Sequence, residues 1–130
     1  MPSEDPTILI TDDDRAFRET LQSVFAPRGF RMLLAANGEE AVTVVRRERI
    51  HLVLLDMHMP RLTGLETVQA VRETNTQLPF VLMSAALDDK IRREAKDAQL
   101  FDVLEKPVEL NVITHVVADA FRQTYDWAVM

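Results

Sequence analysis

The chain has 130 residues, 47% of them apolar and 28% charged, enough for one well-formed core and too short for two. Its formal net charge of -6 argues against nonspecific nucleic-acid binding and suits divalent cations or basic partners, and the absence of cysteine excludes disulfides and thiolate metal sites. No apolar run approaches the roughly 20 residues of a bilayer-spanning helix, and the polar start MPSEDPT is unlike a signal peptide, so the expected setting is cytoplasmic, with no membrane contact.

The first apolar run, TILIT (7–11), has strand length and ends in Asp12, Asp13 and Asp14. Phe17, Thr20, Leu21, Val24 and Phe25 then recur at helical spacing until Pro27 and Gly29 stop the pattern. FRMLLAA (30–36) reads as a second strand, followed by a helix through Ala41, Val44 and Val45 that Asn37 is placed to cap. HLVLLD (51–56) is a third strand, and Leu65, Val68 and Val71 mark a third helix. PFVLMS (79–84) is a fourth. The helix after it, about 88–98, offers only Ile91, Ala95 and Ala98 as an apolar stripe, so its hold on the core should be thin. LFDVLE (100–105) is a fifth strand, and Ile113, Val116, Val117, Ala120 and Phe121 share one face of the last helix. The tail RQTYDWAVM either extends that helix or begins a link.

Five strands alternating with five helices predict an α/β domain, a parallel sheet covered on both faces, with a core from about 7 to 121 and a tail from 122 to 130. Parallel strands bring their C-terminal ends to one edge, where open α/β sheets bind ligands. That edge would gather Asp12, Asp13, Asp56, Ser84 and Lys106. Each has an ordinary reading when taken alone: a solvated strand end, with Asp14 as helix cap, a turn aspartate before Pro60, a capping hydroxyl, a surface lysine. Together they have a chemistry. Clustered carboxylates call for a hard cation such as Mg²⁺, a lysine supplies positive charge to an anion, and a serine donates to one of its oxygens. One aspartate is then placed to be a nucleophile toward phosphorus.

The motifs ILITDDD, LVLLDMHMPRLTG, VLMSA and LEKP, in that order and spacing, make the chain similar to the receiver domain of two-component response regulators, from Thr7 to about Phe121. The resemblance implies a flavodoxin-like (βα)5 fold of strand order 2-1-3-4-5, one of the two common doubly wound orders. It implies Asp56 as phospho-acceptor, with Mg²⁺ held by Asp12, Asp13, Asp56 and the backbone carbonyl of His58. Ser84 would contact the phosphoryl oxygen and Lys106 would pair with the phosphoryl group, before a cis bond to Pro107. Pro60 and Gly64 match the loop after the acceptor. The implied partners are a sensor histidine kinase or histidine phosphotransfer protein and a downstream effector or output domain. The chain would be a monomer or a phosphorylation-dependent dimer, and a switch rather than an enzyme. Its output would pass through the face made by the fourth helix, fifth strand and fifth helix.

Some positions depart from that pattern. Val103 stands where the family commonly has an aromatic ring that turns inward on activation. Phe101, two residues away, is expected on the same face of the strand. Gln99 and Leu100 replace a Gly-Ala pair, and Val108 a frequent aromatic. His58 is expected as an exposed loop residue whose backbone alone matters, although its ring lies within reach of the site mouth. His51 and His115 show no ligand spacing and fall at a strand start and on a helix. Met57 and Met59 read as loop packing, and Lys90, Arg92, Arg93 and Lys96 as a solvated helix face.

Two other function classes compete. A haloacid-dehalogenase-like phosphatase also uses a strand-end aspartate with Mg²⁺, but wants a second aspartate where this chain has His58. A receiver-like interaction module without phosphorylation would explain Val103 and leave the full polar set unexplained. The chain also fits the receiver part of a longer regulator, since every helix is needed to cover the sheet and none is left for reading DNA.

Overall fold

The computed structural model describes residues 4–130, so the first three residues of the polar N-terminal segment lie outside it. Strands β1 (Thr7–Thr11), β2 (Arg31–Ala35), β3 (Leu52–Asp56), β4 (Phe80–Ser84) and β5 (Asp102–Glu105) alternate with helices α1 (Arg15–Phe25), α2 (Gly38–Arg47), α3 (Gly64–Arg72), α4 (Asp89–Asp97) and α5 (Leu110–Tyr125). The strands form one parallel sheet in the order β2-β1-β3-β4-β5, the flavodoxin-like arrangement expected.

Every residue of β1, β3 and β4 is buried, which is why those segments read as unbroken apolar runs. Alternation along them divides the core into two layers. Leu9, Val53, Leu55, Phe80 and Leu82 meet Ala41, Leu65, Val68, Val71 and Ile91 from α2, α3 and α4. Ile8, Ile10, Leu52, Leu54, Val81 and Met83 meet Leu21, Phe25, Ile113, Val117 and Phe121 from α1 and α5.

The caps follow from the sequence. Asp14 and Asn37 accept the Phe17 and Glu40 N–H groups at the starts of α1 and α2 (3.2 and 2.9 Å), and Asp88 accepts that of Ile91 at 2.8 Å. Helix α3 begins with a reciprocal box between Thr63 and Glu66. Helix α4 buries only Ile91 and Ala95, against Ile113, Val117, Ala120 and Phe121 for α5. A large buried side chain is worth about 1.5–3 kcal/mol. With one such anchor, α4 is held less firmly than α5.

Phe101 corrects the expectation drawn from strand spacing. It packs in the α1/α5 layer, whereas Val103 packs in the α2/α3/α4 layer. The cause lies just upstream. Helix α4 ends in a Schellman turn, with Leu100 N–H on Ala95 O (3.1 Å), Gln99 N–H on Lys96 O (3.0 Å) and Gln99 left-handed at φ 57°. β5 starts only at Asp102, so the pleat does not reach back to Phe101, whose ring does not stand in for the missing aromatic. A glycine would take this left-handed position without strain. Here Arg72 supports the turn, its guanidinium donating to the carbonyls of Thr76, Leu78 and Gln99 (3.0, 2.8 and 3.2 Å).

The tail extends α5 to Tyr125 and then folds back through Asp126, which is left-handed at φ 52°. Tyr125 O–H donates to the His51 carbonyl at 2.6 Å, and the Trp127 ring stands edge-on to His51 and Phe121 (5.1 and 5.5 Å between centroids). His51, 2% exposed, is therefore enclosed at the foot of the sheet. Its Nδ1 accepts the Thr7 N–H at 3.0 Å, and its Nε2 lies 3.3 Å from Glu4 Oε1 but off the hydrogen-bonding direction. Burial pushes the Tyr125 phenol up to about 12, helped by the Glu4 charge and opposed by Arg49.

Candidate functional site

At the opposite, C-terminal edge the structure brings together the five side chains that the sequence singles out. β1 delivers Asp12, fully buried, and the next residue, Asp13, is exposed. β3 delivers Asp56, 5% exposed, and the adjacent β4 ends in fully buried Ser84. Lys106 follows β5 and arrives from the far side of the sheet, ahead of the cis bond to Pro107.

Carboxylate oxygens of Asp12, Asp13 and Asp56 all lie within 4.8 Å of one another. Lys106 Nζ donates to Asp12 Oδ2 at 2.7 Å and stands 3.5 Å from Asp56 Oδ1. The ammonium also sits 4.8 Å from the centroid of the Phe17 ring, a cation–π contact that holds it over the site from α1. Asp12 Oδ1 accepts the Asp14 N–H at 2.9 Å, and Arg18 donates to the Asp12 carbonyl at 2.7 Å.

One lysine faces three acidic groups, and the acceptor candidate shows the imbalance. Burial, and then the charge of Asp12, raise the Asp56 carboxyl above the usual range, against the pull of Lys106 and a backbone N–H from His58. For Lys106 burial acts downward, but the bond to Asp12 and the charges of both aspartates outweigh it and raise the ammonium above its ordinary value.

The loop after Asp56 is fixed by main-chain bonds, Met57 N–H to Met83 O at 2.8 Å and Gly64 N–H to Met57 O at 2.9 Å. A Cβ on Gly64 would fall 2.7 Å from the Asp56 carbonyl and 2.6 Å from Leu82 Cδ1, so the close approach itself requires glycine. Met59 is buried and Met57 packs on the core, as expected. His58 differs from expectation: it is exposed, but its Nε2 reaches Ser84 Oγ at 3.0 Å. Ser84 Oγ also accepts the Ala86 N–H at 3.1 Å.

A model of the response regulator receiver domain matches residues 8–118. The chain belongs to the response regulator receiver family. It is 37% identical over 117 residues to the response regulator MprA of Mycobacterium leprae, covering 90% of this chain and 51% of that protein. This receiver thus spans about half the length of the curated relatives it matches. Among solved structures, the chemotaxis protein CheY4 of Vibrio cholerae superposes with a TM-score of 0.85 at 23% identity, covering 90% of this chain and 99% of the other. The response regulator TrrA of Thermotoga maritima, solved in complex with Mg²⁺–BeF, gives 0.78 at 25% identity, covering 88% and 98%. Among the described residues no helix is long and apolar enough to cross a membrane.

Proposed function

We propose that this receiver is a phosphoacceptor switch in which Asp56 takes a phosphoryl group from the phosphohistidine of a sensor histidine kinase or a histidine phosphotransfer protein. The observation that carries the reading is the gathering of Asp12, Asp13 and Asp56 within 4.8 Å, with Lys106 between Asp12 and Asp56. An Asp56 oxygen attacks phosphorus, the P–N bond to the imidazole breaks, and an acyl phosphate remains. Hydrolysis returns the carboxylate. The protein turns over its own phosphoryl group and no other substrate.

An all-oxygen set at that spacing fits a magnesium ion, with Asp12, Asp13, Asp56 and the His58 carbonyl as the residues that would hold it. Magnesium supplies charge neutralisation on the phosphoryl oxygens. The chain's own residues do the rest. Lys106 lowers the cost of keeping Asp56 ionised as a nucleophile and then faces the added negative charge. Phe17 keeps the ammonium from swinging into solvent. Ser84 donates its hydroxyl proton to a phosphoryl oxygen.

These contacts exist only in the phosphorylated state, so they bias a pre-existing equilibrium by their own strength. The face formed by α4, β5 and α5 is the output surface, supported by the thin hold of α4. Val103 in place of a ring means that the signal passes by movement of α4 rather than by an aromatic side chain. The receiver then acts on an effector or output domain, as a monomer or a phosphorylation-dependent dimer in the cytoplasm.

Intact mass after incubation with acetyl phosphate or phosphoramidate tests the reading. One phosphoryl group should be gained with magnesium, not without it, and not by Asp56→Asn. No gain in folded wild-type protein would leave the interaction-module reading in its place.

A further inference from the structure

His58 touches both halves of the site. Its backbone N–H is near enough to the Asp56 carboxylate to favour the charged form, and its ring Nε2 lies 3.0 Å from Ser84 Oγ. Ser84 is fully buried, and its oxygen already accepts the Ala86 N–H at 3.1 Å. A hydroxyl has two lone pairs and one proton. If the imidazole donates, Ala86 and His58 together occupy both lone pairs, and the proton is the only function the hydroxyl has left to offer. If the hydroxyl donates to the imidazole instead, its proton is spent, and a phosphoryl group, which only accepts, would first have to break that bond.

The first arrangement serves an anionic occupant and the second opposes it. We propose that His58 donates from Nε2 to Ser84 and thereby presents the serine proton to a phosphoryl oxygen on Asp56. His58 is a positioning residue that acts through Ser84. The inference rests on the reading of Asp56 as acceptor and adds to it a side chain that tunes how firmly the phosphorylated state is held. The neighbouring strands make the geometry short: Asp56 of β3 is in register with Met83 of β4, so Ser84 is one residue beyond the acceptor's own level. The ring is reached from the loop that directly follows the acceptor, so the contact needs no other element to move.

The test uses beryllofluoride with saturating magnesium as the phosphoryl stand-in, titrated calorimetrically at one fixed pH into the wild type, His58→Ala, His58→Gln, Ser84→Ala and the His58/Ser84 double alanine variant. His58→Ala should bind about two- to tenfold more weakly, the range of one net hydrogen bond. His58→Gln, which keeps an N–H donor, should recover most of that loss. In the Ser84→Ala background the His58 change should add nothing, because the two residues act as a unit. Unchanged or tighter binding by His58→Ala overturns the proposal, as does an equal loss with and without Ser84. Failure of the wild type itself to bind beryllofluoride would strike the acceptor reading instead, which separates the two claims. His58 is exposed, and circular dichroism of each variant checks that the fold is intact.

Discussion

The two edges of the sheet both bury polar groups, and they treat them in opposite ways. At the N-terminal edge His51 is largely matched: Thr7 satisfies its Nδ1, Tyr125 satisfies its carbonyl, Phe121 and Trp127 wall it off, and its Nε2, beside Glu4, is the one polar atom of the ring left without a hydrogen bond. At the C-terminal edge Asp12 and Asp56 share Lys106 beside a third aspartate, and burial together with the Asp12 charge raises the Asp56 carboxyl. Buried polarity that is satisfied locally adds stability. Buried charge left short of counter-charge is held for something that arrives later.

Lys106→Ala should break the comparison most sharply. It leaves Asp12 and Asp56 facing each other, and the rate of phosphorylation from acetyl phosphate should fall about 100-fold, the scale of losing one charge-stabilising donor. Thermal unfolding should show a lower midpoint that magnesium partly restores.

Trp127→Ala tests the other edge. It should cost about 2 kcal/mol of stability by denaturant unfolding, less than a fully buried tryptophan, and leave phosphorylation unchanged. A loss of phosphorylation in the folded variant would show that the edges are coupled.

Asp56→Asn should stabilise. With its pKa raised in the folded state, Asp56 binds more protons folded than unfolded in the window above 3.8, so folding stability falls as pH rises through that window, and the penalty persists at neutral pH. Asparagine carries no charge there, and the variant should gain about 1 kcal/mol at pH 7 and none at pH 3, read from denaturant midpoints. A gain that is the same at both pH values would assign the effect to something other than charge.

Val103→Phe should do least. The groove between α4 and β5, lined by Arg92, Ala95, Lys96, Leu100, Asp102 and Val103, has open space beside that side chain, and the change in stability should stay within about 1 kcal/mol.

The C-terminal edge was more legible in the sequence than the N-terminal one, for a physical reason. Parallel strands put their last residues on one line, so Asp12, Asp56, Ser84 and Lys106 follow from finding where each apolar run stops. The enclosure of His51 depends on Tyr125, 74 positions away, and on a backbone reversal at Asp126 that no periodicity announces. Phe101 escaped for a similar reason, since alternation holds only within a strand and the left-handed Gln99 resets it. The His58–Ser84 contact had a signal, a ring two residues beyond the acceptor, but its direction is set by loop bonds such as Gly64 N–H to Met57 O.

The acceptor itself is open to direct chemical trapping. After incubation with acetyl phosphate and magnesium, borohydride reduces an acyl phosphate to the alcohol, so an aspartyl phosphate becomes homoserine, which peptide mass mapping locates. Homoserine at position 56 alone is the expected result. Homoserine at Asp12 or Asp13, or at no position in folded protein, would contradict the assignment of Asp56 as the residue that takes up the phosphoryl group.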